Sequence, residues 1–147
     1  MPLAQLNLAR ARYPLSSEQM ADFVALIADV NAAAEAADGF IWRLRDDGDG
    51  ALSVRLVAAG LDGDDILVNM SVWRDLAALR AFVIDDPGHR DVMKRRFEWF
   101  YRAVEPMTVC WLVDDGEFPT VADAQEKLLT LRQSEPTAEL FEYSHRA

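Results

Sequence analysis

Residues 3–10, Leu-Ala-Gln-Leu-Asn-Leu-Ala-Arg, alternate with period two, placing Leu6 and Leu8 on one face and Gln5, Asn7 and Ala9 on the other, the pattern of a strand. Ser16 and Gln19 have the spacing of a capping box, and Met20, Phe23, Val24, Ile27 and Val30 then recur at helical spacing until Asp38-Gly39 stops them. Residues 40–46 read as a second strand, followed by an Asp46–Gly50 turn cluster, a weaker strand at 52–57 and a polar loop at 60–65. The run Ile66–Trp73 is rich in β-branched residues and is the strongest strand signal in the chain. Leu76, Leu79, Phe82 and Val83 then shift the period to 3.6, Asp85-Asp86-Pro87-Gly88 interrupts, and a further helix is expected over about 89–104. Residues 107–113 read as a last central strand, Thr120 with Asp123 caps a short C-terminal helix through Leu128 and Leu131, and Phe141-Glu142-Tyr143 reads as an edge strand or a docked tail.

The core order is β-α-β-β-α-β. It predicts an α+β fold of the ferredoxin-like split βαβ kind, one four-stranded antiparallel sheet with helices on one face plus the short C-terminal helix, as a single domain over residues 3–143. In that topology the first and third strands are the central pair, so Asn7 and Asn69 should be near neighbours. The opposite face carries Leu6, Leu8, Val68, Met70 and Val72, too apolar for open water, and packing on a second copy would cover it, so a homodimer is expected.

Polar residues at positions marked as buried carry the candidate chemistry, because an unpartnered buried polar group costs a few kcal/mol. On a helical wheel begun at His89, His89 and Arg96 fall inside an apolar arc with Met93, Phe97, Phe100, Tyr101 and Val104, whereas Lys94 and Arg95 fall outside it. Asn69 and Ser71 share a strand face with Leu67 and Trp73, Asn7 shares one with Gln5, and Asn31 lies in the apolar arc of the first helix. Together they outline a polar pocket between sheet and helices, with Trp73 and Trp99 as aromatic walls and either Trp42 or Arg43 of the second strand turned towards it. Each has a structural reading as well: His89 as a core imidazole bonded to a carbonyl, Arg96 as a buried ion pair with Glu105 or the Asp85-Asp86 turn, and the whole set as a closed hydrogen-bond network with no cavity.

The 147 residues suffice for one core burying roughly two-thirds of the unfolded chain's surface. With 15 basic against 25 acidic residues the net charge is −10, which repels nucleic acid and anionic lipid. The single Cys110 lies in an apolar run and no 18-residue apolar segment or leader pattern is seen, so a reducing cytoplasmic setting and no membrane association are expected. Two histidines and one cysteine give no zinc spacing, the acidic groups Asp46–Asp49 and Asp62-Asp64-Asp65 lack the terminal Glu of a calcium loop, and no phosphate-binding glycine pattern or nucleophile elbow occurs. No metal and no cofactor is implied.

The segment Leu67–Trp73, followed by Leu76-x-x-Leu79-x-x-Phe82 and then His89, resembles the strand-Trp-helix-His signature of the dimeric α+β barrel superfamily, which includes the antibiotic biosynthesis monooxygenases. From Ala4–Asn7 through Phe40–Arg43 to Arg95–Trp99 the chain is similar to a bacterial domain-of-unknown-function family within it, over about residues 3–143. The resemblance implies a pocket lined by Asn7, Asn69 and Trp73 for an aromatic or planar ligand. His89 departs from the monooxygenase pattern: it follows the Pro87 break, and Phe82-Val83 stand where that pattern has its His. The expectation is a small-molecule-binding protein, with cofactor-independent oxygenation or isomerisation as the chemistry: His89 as general base, Arg96 stabilising an oxyanion, Asn7, Asn69 and Ser71 orienting oxygens, and Trp73 and Trp99 against the ligand. The alternative is a non-catalytic homodimeric interaction protein.

Overall fold

The structure, a computed structural model, describes residues 1–45 and 65–143, and the expected strand at 52–57 and the acidic cluster 46–50 lie outside the described residues. Strand β1 (Leu3–Arg10), helix α1 (Ala21–Ala36), strands β2 (Phe40–Arg43) and β3 (Ile66–Trp73), helices α2 (Leu76–Asp85) and α3 (Pro87–Trp99), strand β4 (Thr108–Leu112), helix α4 (Val121–Gln133) and strand β5 (Leu140–Phe141) follow in order. The sheet runs β2-β3-β1-β4-β5, with every pairing antiparallel. Its first four strands have the ferredoxin-like order, with β1 and β3 central as the sequence predicts. The tail supplies the fifth strand on the β4 edge.

The cavity-side face of the sheet meets α1, α2 and α3. Leu67 is buried with Phe23 and Val30 of α1 and Val92 and Trp99 of α3, while Leu3, Trp73 and Cys110 are buried with Ala78 and Leu79 of α2. Asp75 and Asp86 cap α2 and α3, accepting from the amides of Ala78 and His89 at 2.8 Å, and Pro87 occupies the first turn of α3, where no intrahelical N–H is needed. Gly39, just after α1, has φ +86°, and a Cβ there would stand 2.4 Å from that of Ala78, so the α1–β2 turn lies directly on α2.

The structure corrects the sequence reading in three places. The Ser16–Gln19 capping box does not form: the Ser17 hydroxyl donates to the Pro14 carbonyl, and a 3-10 turn at Glu18–Met20 leads into α1. The helix expected to reach residue 104 ends at Trp99, because Phe100 turns extended and bridges Ala11, and the amide of Tyr101 donates to the Arg10 carbonyl at 3.0 Å. Backbone pairing with the end of β1 outcompetes the helical period, so Phe100, Tyr101 and Val104 do not belong to the wheel begun at His89.

The third correction concerns the second sheet face. Leu6, Leu8, Val68, Met70 and Val72 are buried within the single chain by Ala124, Leu128 and Leu131 of α4. Helix α4 is held by a capping box, in which Thr120 Oγ1 accepts from the Asp123 amide and Asp123 accepts from the Thr120 amide. The helices therefore lie on both faces, and the uncovered apolar face that argued for a homodimer is absent. Leu128 is fully buried, and its truncation would cost about 2–5 kcal/mol.

Candidate functional site

A cavity of about 750 Å³ lies between the sheet and α1–α3, opening past the end of α3. Its floor comes from the period-two pattern of the two central strands, which sends Gln5 and Asn7 of β1 and Asn69, Ser71 and Trp73 of β3 to one face. Asn7 and Asn69 are direct register partners. Both are half-buried, and neither side-chain amide is hydrogen-bonded to another described residue. Beside them Ser71, the partner of Gln5, donates from its hydroxyl to Gln5 Oε1 at 3.1 Å and accepts from Trp73 Nε1 at 2.9 Å. Ser71 is thus spent on a chain of side-chain bonds that fixes the Trp73 indole.

Trp73 is only 1% exposed. Its ring lies edge-on to Phe40 at 5.5 Å and stacked on Phe82 at 5.4 Å. Phe82, half-buried, lines the cavity next to it. His89 stands at the first turn of α3, its ring 5.4 Å from that of Phe82. Burial pushes its pKa below the ordinary 6.5, opposed by a hydrogen bond to the Val83 carbonyl and by the charge of Asp86. The imidazole is accordingly neutral at neutral pH, the form a general base requires.

Arg96 lines the cavity but is exposed, not buried. Its guanidinium donates to the Met93 carbonyl and lies 4.5 Å from the centre of the Phe97 ring. Glu105, expected as its partner, instead pairs with Arg132 at 3.3 Å, and Asp86 is engaged as a cap. Arg95 lies outside the cavity wall, as the wheel has it, and bridges Asp22 and Glu98 at 2.9 and 3.0 Å with its guanidinium over Trp99. Trp99 is 1% exposed and packs on Phe23 and Phe100 beneath that arginine, outside the cavity wall. It is a core residue, and its expected ligand contact is withdrawn.

The open choice on β2 falls to Arg43, which lines the cavity and bonds Glu35 of α1 at 2.6 Å, whereas Trp42 stacks on Phe118 over the opposite face. An irregularity between Phe40 and Trp42 breaks the strict alternation, so Phe40 and Arg43 both reach the cavity side. Asn31 of α1 also lines the wall. Phe82 and Arg102 line the cavity although neither belongs to the expected set. Phe82 carries a sequence signal in its helical spacing, but Arg102 follows the end of α3 at Trp99, where the helical period no longer applies. Gln5, Ser71 and Trp73 close upon one another, whereas Asn7, Asn69, His89 and Arg96 line the cavity.

Of the acidic groups weighed as cation sites, Asp65 pairs with Arg10 at 2.8 Å, and Asp46–Asp49, Asp62 and Asp64 lie outside the described residues. Among the described residues no helix is long and apolar enough to cross a membrane.

The family described as "Domain of unknown function (DUF3291)" matches residues 2–147. No curated protein matches the chain. Among solved structures, Rv0793 from Mycobacterium tuberculosis is 18% identical, covering 80% of this chain and 100% of that one with a TM-score of 0.53. A conserved protein from Methanosarcina mazei Go1 is 12% identical over 78% of this chain and 94% of that one, TM-score 0.53. SnoaB, described as a cofactor-independent oxygenase from Streptomyces nogalater, is 16% identical over 78% and 94%, TM-score 0.49. The likeness is one of fold, carried by the first two.

Proposed function

The chain belongs to the DUF3291 family, and we propose that it binds an aromatic or otherwise planar small molecule in the cavity between sheet and helices, acting on it as a cofactor-independent oxygenase or isomerase. The observation that supports the reading is the pairing of two half-buried amides, Asn7 and Asn69, on the floor of a cavity of about 750 Å³ whose opposite wall carries Phe82 and His89. A space of this size takes a fused-ring molecule, and a mostly apolar wall with a few convergent polar groups is the usual make-up of a ligand site.

In this reading Phe82 stacks on the ligand, Trp73 and Ser71 hold Phe82 and the floor in place, and Asn7 and Asn69 bond its oxygens. Neutral His89 removes a proton from an acidic O–H or C–H, and Arg96 stabilises the conjugate base. In isomerisation the proton returns at a second position. In oxygenation the conjugate base gives its electrons to dioxygen, the co-substrate. All these groups belong to one protomer, and a homodimer formed through the Val68–Met70 face would require α4 to leave it.

Melting temperatures measured against a panel of fused-ring phenols and aromatic ketones test the binding step: at least one should raise the midpoint, and a panel without effect overturns the reading. Exchange of an acidic ligand proton in D2O then tests the chemistry, and it should be lost in His89→Gln while binding persists.

A further inference from the structure

The protein as a whole is strongly acidic, at −10. Among the described residues the cavity wall reverses that sign: five arginines, Arg10, Arg43, Arg96, Arg102 and Arg132, line it against two carboxylates, Glu105 and Glu142. Three of the arginines are neutralised locally, Arg10 by Asp65 at 2.8 Å, Arg43 by Glu35 at 2.6 Å and Arg132 by Glu105 at 3.3 Å.

Arg96 and Arg102 are different. Neither has a carboxylate partner among the described residues, and both guanidiniums lie on one ring, 4.5 and 4.3 Å from the centre of Phe97. Phe97 is itself 38% exposed and lines the cavity. Two cations sharing one phenyl ring stand well within the ~10 Å screening length of 0.1 M salt. Their repulsion is only partly offset by the ring's quadrupole. An anion that reaches both guanidiniums relieves it and gains charge-assisted hydrogen bonds from planar, donor-rich groups. Glu142 is the one lining carboxylate with no ion pair among the described residues, and it leaves the pair of arginines in excess.

We propose that Arg96 and Arg102, with Phe97, form an anion subsite at the rim of the cavity, and that the ligand is a flat organic acid. Its carboxylate sits on the two guanidiniums and its ring system lies inside, over Phe82 and the Asn7–Asn69 floor. This rests on the small-molecule reading above and adds to it the charge of the ligand and a specificity residue, Arg102. The subsite also steers: an arginine-lined mouth on an acidic protein focuses the local field and draws small anions towards an otherwise repellent surface.

The test compares two probes of one shape, anthracene-2-carboxylate and anthracene-2-carboxamide, with binding to the intact chain read by probe fluorescence anisotropy. The carboxylate should bind about tenfold or more tightly than the amide, as hydrogen bonds to a charged group imply, and the preference should shrink as salt is raised. In Arg96→Gln combined with Arg102→Gln the two probes should bind alike, while Arg90→Gln, which removes an exposed charge from the same helix outside the cavity wall, should keep the preference. Equal binding of the two probes by the unmodified protein overturns the anion subsite and leaves the small-molecule reading standing, as does a preference that survives the double substitution. Failure of both probes to bind removes the subsite together with the reading beneath it.

Discussion

Asn7 and Asn69 are Cα partners across the central strand pair, and their side chains stand on the floor of the cavity rather than in the packed layers on either side. An amide pair at the centre of a sheet face is an expensive arrangement unless the space above it is polar or wet. Replacing either by Ala should therefore change stability by about 1 kcal/mol or less, since the group removed faces a space that tolerates water. Affinity for planar ligands should fall markedly. Urea midpoints measured alongside ligand-induced melting shifts check both halves, and a large loss of stability would return the pair to a structural role.

His89 makes stability depend on pH in a defined sense. Burial lowers its pKa in the folded chain below 6.5, so below pH 6.5 the unfolded state takes up a proton that the folded state resists. The stabilisation is complete above 6.5 and is lost as pH falls towards the depressed value. Denaturation midpoints from pH 8 to pH 5 should fall for the unmodified chain, and the difference from His89→Gln should grow smaller across that interval. A constant difference would mean that the imidazole titrates as if exposed.

Cys110 sits at the centre of β4, paired with Gln5 and fully buried, and burial pushes its thiol up to about 12. The reactive thiolate is then scarce at neutral pH. Labelling by a maleimide should be no faster than unfolding and should accelerate in step with urea-induced exposure. Rapid labelling of the folded chain would contradict the placement of β4.

Gly39 and Gly116 have similar positive φ angles, +86° and +80°, yet only Gly39 faces a neighbour, while a Cβ at Gly116 meets nothing within 4 Å. Gly116→Ala should cost the conformational penalty alone, on the order of 1–2 kcal/mol. Gly39→Ala should cost clearly more, because Ala78 and the α2 backbone must also retreat. Equal melting temperatures for the two variants would show that the α1–β2 turn can move away from α2.

Much of this fold is legible from period and caps. Strands β1 and β3 match their alternating runs residue for residue. The Thr120–Asp123 box and the Asp86-Pro87 start are local chemistry that short sequence windows contain. Features set by distant pairing are not legible in that way. The end of α3 at Trp99 is decided by Ala11 and Arg10, some ninety residues earlier in the chain, and a wheel drawn through Val104 therefore treats the exposed Arg96 as interior. Asn7, Asn69, Trp73 and His89 could be placed because strand parity and a helix start suffice to aim them. Phe97 with Arg102 could not, since their proximity depends on where the helix stops.

Helix α4 does for one chain what association does in a protein whose sheet face is shared between copies. Since Leu6, Val68 and Met70 are covered from within the same chain, no association constant enters the burial of this face. The stability that this face supplies is then indifferent to dilution, whereas a face buried only between two copies loses its contribution as the copies separate.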